Sequence, residues 1–298
     1  MDGENERPGF SIRDQSFSAR KPEPGLYLVA TPIGNLADIT VRALDVIAGA
    51  DILACEDTRV SQVLLSRYAI RRRLVAYHEH NAAEAGPELL AALQAGKSVA
   101  LISDAGTPLV SDPGFRLVGE AVERGVAVYP IPGASAVLSA LLASGLPSDA
   151  FLFAGFLPQK ETARRQRIEE LARIPATLIL FEAPHRIKDS LADLAAILGD
   201  RPAAVCRELT KAFETTYRGT LPALAQDFET MERVRGEIVV VIGPPAAEAP
   251  PSEADADAIL SGLLREMKPT EAAREAAKLT GLPRRDLYQR ALQMKDGA

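Results

Sequence analysis

Three short stretches combine glycine and proline with small residues, and each follows an apolar run: TPIGN at 31–35, LISDAGTPLVSDPG at 101–114 and PGASA at 132–136. Residues of this kind let a ligand come close to the backbone. Asp104, a lone carboxylate at the turn of the second stretch, is suited to accept hydrogen bonds from a ribose or an amine. Any one of these stretches can be a plain connection; three in equivalent positions point to a pocket. No GxxxxGK[ST] pattern occurs and no GxGxxG follows the first apolar run, so neither a P-loop nor a dinucleotide fingerprint is present. The stretches carry little positive charge. They suit a nucleoside-like ligand better than a polyphosphate.

The surrounding chain predicts what positions them. From Gly25 onward, strand-length apolar runs (GLYLVAT, DILACE, RLVAYH, SVALIS, VAVYPI) alternate with helical stretches such as TVRALDVIAGA. Alternation of this kind implies crossover connections and a mostly parallel sheet covered on both faces. In such sheets ligands collect beyond the carboxyl ends of the strands, where these three loops fall. The pattern restarts near Phe151 with FLFAGF, ATLILFEA, AAVCREL and GEIVVVIG, and FETTYRGT adds one further strand with antiparallel pairing. The reading is α/β: a tail at 1–24, an α/β domain at 25–146, a second, mixed-sheet domain at 147–246, a linker at 247–257 and a helical module at 258–298. Pro269 and Gly281 mark a helix start and a helix end in that module, which has the helix-turn-helix pattern.

Bulk composition sets outer limits. The 298 residues are 47% hydrophobic with a net charge of −6, enough for a substantial core and against a wholly basic surface. Two cysteines, Cys55 and Cys206, make neither a disulfide framework nor a zinc cluster, so no metal is expected. The longest apolar runs are strand-length, and no export signal opens the chain, so a cytoplasmic protein with no membrane partner is expected.

The motifs LYLVATPIGNLADITVRAL, LISDAGTPLVSDPG, IPGASAVLSAL and LFEAPHRI resemble the tetrapyrrole-methylase superfamily. ACEDTR, YHEHN, RELTK and GEIVVVIG are similar to its ribosomal branch, and the match runs from about 25 to 243, with EAAREAAKLTGLPRRDLYQRAL resembling that branch's terminal helical domain. The resemblance implies S-adenosylmethionine bound in a cleft between two α/β domains. It implies methylation of the ribose 2′-oxygen of one cytidine in 16S ribosomal RNA, within the small subunit, by a homodimer. Carried over motif by motif, the cofactor contacts are Pro32, Ile33 and Gly34; Asp104, Ala105, Gly106 and Thr107; and Gly133, Ala134, Ser135 and Ala136. Glu182 and Cys206 lie on second-domain strands and rank behind these.

A ribose hydroxyl must lose a proton as it is methylated, so positioned acceptors would help. Candidates are Glu56, Asp57, His78 and Glu208, with Glu79, His80 and Lys211 nearby in sequence. The plainer alternatives stay open: Asp57 or Thr58 as a helix N-cap, the two histidines in a structural or RNA-contact role, and Glu208 in an ion pair with Arg207. An acidic protein acting on RNA needs localised positive charge. Arg71–Arg73, the run Lys160–Arg167 with Arg173, and the terminal module, with eight basic against five acidic residues over 265–296, could supply it. Aromatic residues are 5%, so phosphates and shape, rather than base stacking, should carry recognition. The competing readings are a tetrapyrrole methyltransferase of the same superfamily and a non-enzymatic RNA-binding assembly factor. A DNA-binding regulator is disfavoured, because the module's positive excess is modest.

Overall fold

The computed structural model describes residues 8–110, 114–246 and 253–296, with the side chains of 253–255 and 295–296 left aside. It contains two compact units, divided at Pro245/Ala246.

The described residues open with a hairpin, β1 (Gly9–Ile12) and β2 (Gln15–Ser18). Then come β3 (Gly25–Val29), α1 (Val41–Gly49), β4 (Ile52–Cys55), α2 (Thr58–Arg67), β5 (Leu74–Ala76), α3 (Ala82–Gln94), β6 (Ser98–Ile102), α4 (Phe115–Glu123), β7 (Val128–Ile131) and α5 (Ala136–Ser144). Strands β3 to β7 form one parallel sheet in the order β5-β4-β6-β3-β7. Its alternation follows the pleat. Tyr27, Val29, Ala100 and Ile102 pack with α1 and α2 on one face; Leu26, Val99 and Leu101 pack with α3 and α4 on the other. This double burial is why the strands read as unbroken apolar runs. Asp51 locks the start of β4 to β6: its Oδ2 accepts from Ser98 N (2.9 Å) and Ser98 Oγ (3.0 Å).

The second sheet follows: β8 (Phe151–Phe156), α6 (Glu161–Ala172), β9 (Thr177–Glu182), α7 (Ile187–Leu198), β10 (Pro202–Arg207), β11 (Thr215–Thr220), α8 (Leu221–Thr230) and β12 (Ile238–Ile242). Its order is β11-β10-β12-β9-β8, with β8 and β9 parallel and the other pairs antiparallel. Helices α6, α7 and α8 cover one face. The other face is covered by α5, the last helix before this sheet begins: Val137, Ala140 and Leu141 pack against Ile179, Val239 and Val241, with Ile33 joining from the first sheet's TPIGN loop. Helix α5 therefore fastens the two sheets together. Cys206 is part of this shared core and fully buried; burial raises its thiol pKa. It is a packing residue.

Two boundaries differ from expectation. Residues 9–18, read as part of a tail at 1–24, form the hairpin, because Phe10 inserts into the core beside α1 and Ser11 N donates to Tyr68 O (2.8 Å). Residues 1–7 lie outside the described residues. In the second unit α9 (Glu253–Leu264) begins inside the expected linker, whose residues 247–252 are also outside the described residues. The alanines and acids of EADADA make a good first helical turn.

Helices α10 (Pro269–Thr280) and α11 (Arg284–Asp296) complete the second unit. Pro269 opens α10, and Gly281 closes it in the left-handed conformation at φ 70°. Ala256, Ala272, Ala273, Ala276 and Ala291 line the shared core with Leu260 and Leu287, so the three helices approach closely. Among the described residues no helix is long and apolar enough to cross a membrane.

Candidate active site

The three glycine-proline loops meet at the carboxyl end of the parallel sheet. Thr31 and Gly106 form an isolated antiparallel bridge, with Thr31 N donating to Gly106 O (2.9 Å) and Gly106 N to Thr31 O (3.0 Å). Thr31 Oγ1 donates to Ser103 O (3.0 Å), and Ser103 Oγ to Gly106 O (2.8 Å). Gly106 holds φ 80°, and a Cβ there would stand 3.2 Å from Ile33 Cγ2. At Gly133 a Cβ would come within 2.9 Å of Ala30 Cβ, so the third loop lies directly on the end of β3. Ser135 caps α5, its Oγ accepting from Leu138 N (3.4 Å). The first loop also reaches the second sheet: Asn35 N donates to Thr210 Oγ1 (3.2 Å), and the Lys211 stem fills the space a side chain at Gly34 would need.

Between these loops and the second sheet lies a cleft of about 440 Å³, within the range of small-molecule sites. Six of the carried-over cofactor positions line it: Ile33, Ala105, Gly106, Thr107, Ser135 and Ala136. Pro32, Gly34, Asp104, Gly133 and Ala134 belong to the same loops but are not wall residues. Asp104 turns to the neighbouring loop, where its Oδ1 accepts from Asp57 N (3.0 Å). The stretch 111–113 lies outside the described residues. Of the facing wall, the sequence offers only Glu182, ranked behind the loop residues. That wall consists of Phe156 and Phe181, whose rings meet edge-on at 5.6 Å, and the backbone turns Glu182–Pro184 and Gly236–Val239. Glu182 is buried, with Oε1 accepting from Ala183 N (2.8 Å) and Oε2 from Ser190 Oγ. LFEAPHRI was the available signal; its residues could not be assigned to the cleft without knowing which strand β9 neighbours.

The acid–base candidates separate into two kinds. Asp57 is the N-cap of α2, accepting from Arg59 N (2.8 Å) and paired with Arg59 Nη2 (2.6 Å). These hydrogen bonds lower its pKa to about 2, which makes it a poor base. Glu208, held at φ 54°, accepts from Glu237 N (3.0 Å) and Lys211 Nζ (2.9 Å), and these contacts lower its pKa. It braces the turn at Gly236, where φ is 91° and a Cβ would collide with the Glu208 carboxyl. Glu56 is different. Its pKa is raised, first by burial and next by the charge of Asp104, with His78 acting in the opposite direction. His78 has a buried Nδ1 without a hydrogen-bond partner, although its N donates to Asn81 Oδ1 (2.8 Å). Glu56, Asp104 and His78 thus form one cluster at the strand ends, a single loop away from the cleft wall at Ala105. Among the described residues no three or more His, Cys, Asp or Glu gather as metal ligands.

Two of the expected basic patches are largely consumed by structure. Arg72 donates to the carbonyls of Ala50 and Asp51. Arg164 and Arg165 both pair with Asp193 of α7, at 2.7 and 2.6 Å, and Arg167 pairs with Glu170.

Residues 25–225 match the family described as Tetrapyrrole (Corrin/Porphyrin) Methylases, and residues 250–295 match the RsmI C-terminal HTH domain. Over 286 residues the chain is 63% identical to the Ribosomal RNA small subunit methyltransferase I of Mesorhizobium japonicum, covering 96% of this chain and 97% of that protein. The protein of the same name from Escherichia coli O157:H7 is 44% identical over 283 residues, 94% of this chain and 99% of that one. A solved uroporphyrin-III C-methyltransferase from Thermus thermophilus, complexed with S-adenyl homocysteine, shares the fold. Its TM-score is 0.51 at 21% identity, over 74% of this chain and 97% of that chain.

Proposed function

The chain belongs to the tetrapyrrole methylase family, and on that premise we propose that this S-adenosylmethionine-dependent methyltransferase acts on small-subunit ribosomal RNA, at the ribose 2′-oxygen of a cytidine. The observation that carries the reading is the cleft itself. Small residues from three parallel-strand loops face an aromatic edge across a space sized for one nucleoside-like molecule. The residues fit the cofactor: Gly106, at φ 80°, and Gly133, whose Cβ would meet Ala30, let the loops close tightly around the cleft, and Phe156 and Phe181 offer a flat apolar edge to a purine. The names of relatives 63% and 44% identical over nearly the whole chain support the RNA acceptor. The 2′-oxygen rests on ACEDTR, YHEHN and RELTK.

When bound, S-adenosylmethionine supplies an electrophilic methyl group on a positively charged sulfur. The work left to the protein is alignment and proton handling. Ile33, Ala105–Thr107, Ser135 and Ala136 orient the donor from one side, and Phe156, Phe181 and the Gly236 turn close the other and exclude water. Glu56 accepts the proton of the attacking 2′-hydroxyl. Its raised pKa brings it nearer the working range of a general base than an exposed carboxylate would be. Burial sets that basicity, with the Asp104 charge adding to it and His78 opposing it, and the Lys211–Glu208–Glu237 brace holds the far wall.

The protein works as a homodimer on the assembled subunit in this proposal. Exposed Phe115 (82%) on α4 and Leu142 (79%) on α5 support the dimer, which sedimentation equilibrium checks. A tetrapyrrole acceptor is disfavoured by the cleft wall, which contains Glu182 and Glu237 and, among the described residues, no lysine or arginine. Methyl-labelled cofactor offered together with unmodified small subunits and a porphyrin-type acid tests the reading. Label should enter one cytidine ribose of the RNA; label in the porphyrin-type acid alone, or in neither, contradicts it.

A further inference from the structure

A second cavity of about 470 Å³ adjoins the cleft, and Pro184 and Gly236 belong to both walls. Its chemistry is opposite to that of its neighbour. Lys188, Arg233 and Arg235 line it against a single carboxylate, Glu232, with His185 at the edge. Lys188 Nζ donates to the Glu229 carbonyl (3.0 Å), which fixes the ammonium without neutralising it. Arg233 and Arg235 are exposed, and among the described residues neither carries an ion pair. This contrasts with Arg164, Arg165 and Arg167, all of which are paired. The segment bearing the two arginines is held rather than loose. Arg207 Nη1 donates to Arg235 O (3.3 Å), and Glu237 N is bound by Glu208.

In a chain of net charge −6, unpaired guanidinium groups beside the cleft concentrate positive potential where the acceptor must enter. Guanidinium matches the geometry of phosphate oxygens. The cavity is contiguous with the cleft, so a strand whose ribose sits in one extends its phosphate into the other. We propose that this basic pocket is the strand-binding subsite, taking a phosphodiester group next to the methylated nucleotide on Arg233, Arg235 and Lys188. The inference rests on the RNA-acceptor reading and goes beyond it by assigning where the strand is gripped.

The test is the Arg233→Ala/Arg235→Ala double variant, compared with a charge-matched control, Arg167→Ala/Arg173→Ala on and after α6. S-adenosylhomocysteine affinity, measured by calorimetry, should stay at the wild-type value in both. In methylation of small subunits at about 150 mM salt the double variant should raise KM about tenfold with kcat changed less than threefold. The slope of log affinity against log salt should become shallower by about one to two. Anisotropy with a fluorescent fragment of small-subunit RNA, in the absence of donor, should show the same tenfold loss. An RNA affinity and salt slope equal to those of the control overturn the subsite. The anisotropy arm decides this even if wild-type protein transfers no methyl to small subunits, a result that would instead defeat the acceptor reading.

Discussion

Glu56 lies where burial and the charge of Asp104 both act against ionisation, only partly offset by His78. A carboxyl whose pKa rises on folding binds its proton more tightly in the folded chain. Its contribution to stability is therefore best at low pH and declines as the pH climbs through the raised value. Glu56→Gln removes that penalty, so the variant should unfold at the wild-type temperature or slightly above it at neutral pH while losing about 10²–10⁴ in kcat. Wild-type kcat/KM should fall as the pH drops through a value above the ordinary glutamate range. A kcat within threefold of wild type in Glu56→Gln contradicts the base assignment. At this scale the sequence was informative where a residue acts through being small: Ala105, Gly106 and Ala136 of the three loops line the cleft, while Gly34, Gly133 and Ala134 lie behind its wall. For Asp57 and Glu208 the sequence left acid–base and structural readings side by side; Asp57 is the N-cap that one of them named, and Glu208 is an ion-paired brace whose partners are Lys211 and Glu237 N rather than Arg207.

Helix α5 connects the chain's two halves by packing on the second sheet rather than the first, and its cap, Ser135, also lines the cleft. The site is built into the joint between sheets, so its walls inherit the rigidity of a shared core. Helices α6 and α7 show a second kind of joint. Arg164 and Asp193 are 8% and 9% exposed at their side chains, and Arg165 shares the same carboxylate. Removing Asp193 leaves Arg164 buried without its counter-charge, so Asp193→Ala should destabilise by about 3–5 kcal/mol in urea unfolding, whereas Arg165→Ala, half-exposed, should cost under about 1 kcal/mol. Equal effects would contradict this reading of the arginine run. The strands were legible as unbroken apolar runs because both sheets are covered on both faces. The hairpin at 9–18 was not, because its anchors, Phe10 with Ile12 beside it, are two residues in a short segment whose second strand is exposed. Nor could the antiparallel insertion of β12 between β10 and β9 be read off, since register depends on partners far apart in sequence.

At the scale of the molecule, an acidic chain encloses an apolar, small-residue cleft and sets two arginines without ion pairs among the described residues, Arg233 and Arg235, in the adjoining pocket. That division suits a donor held by shape and an acceptor held by phosphate charge. The α/β fold class follows from strand–helix alternation. The far wall of the cleft, from Phe156, Phe181 and the Gly236 turn, required the folded chain, because those residues come from strands whose neighbours the sequence does not announce. The central claim is that this cleft binds the methyl donor, and the most direct measurement is calorimetric titration of S-adenosylmethionine into wild-type protein and Thr107→Trp. Thr107 is an exposed wall residue with only a long 3.4 Å contact from its Oγ1 to Ala134 O, so an indole there fills the cleft without disturbing the core. The account predicts one tight site in the wild type and at least a tenfold loss of affinity in the variant at an unchanged unfolding temperature. Equal affinity in the two proteins would contradict it.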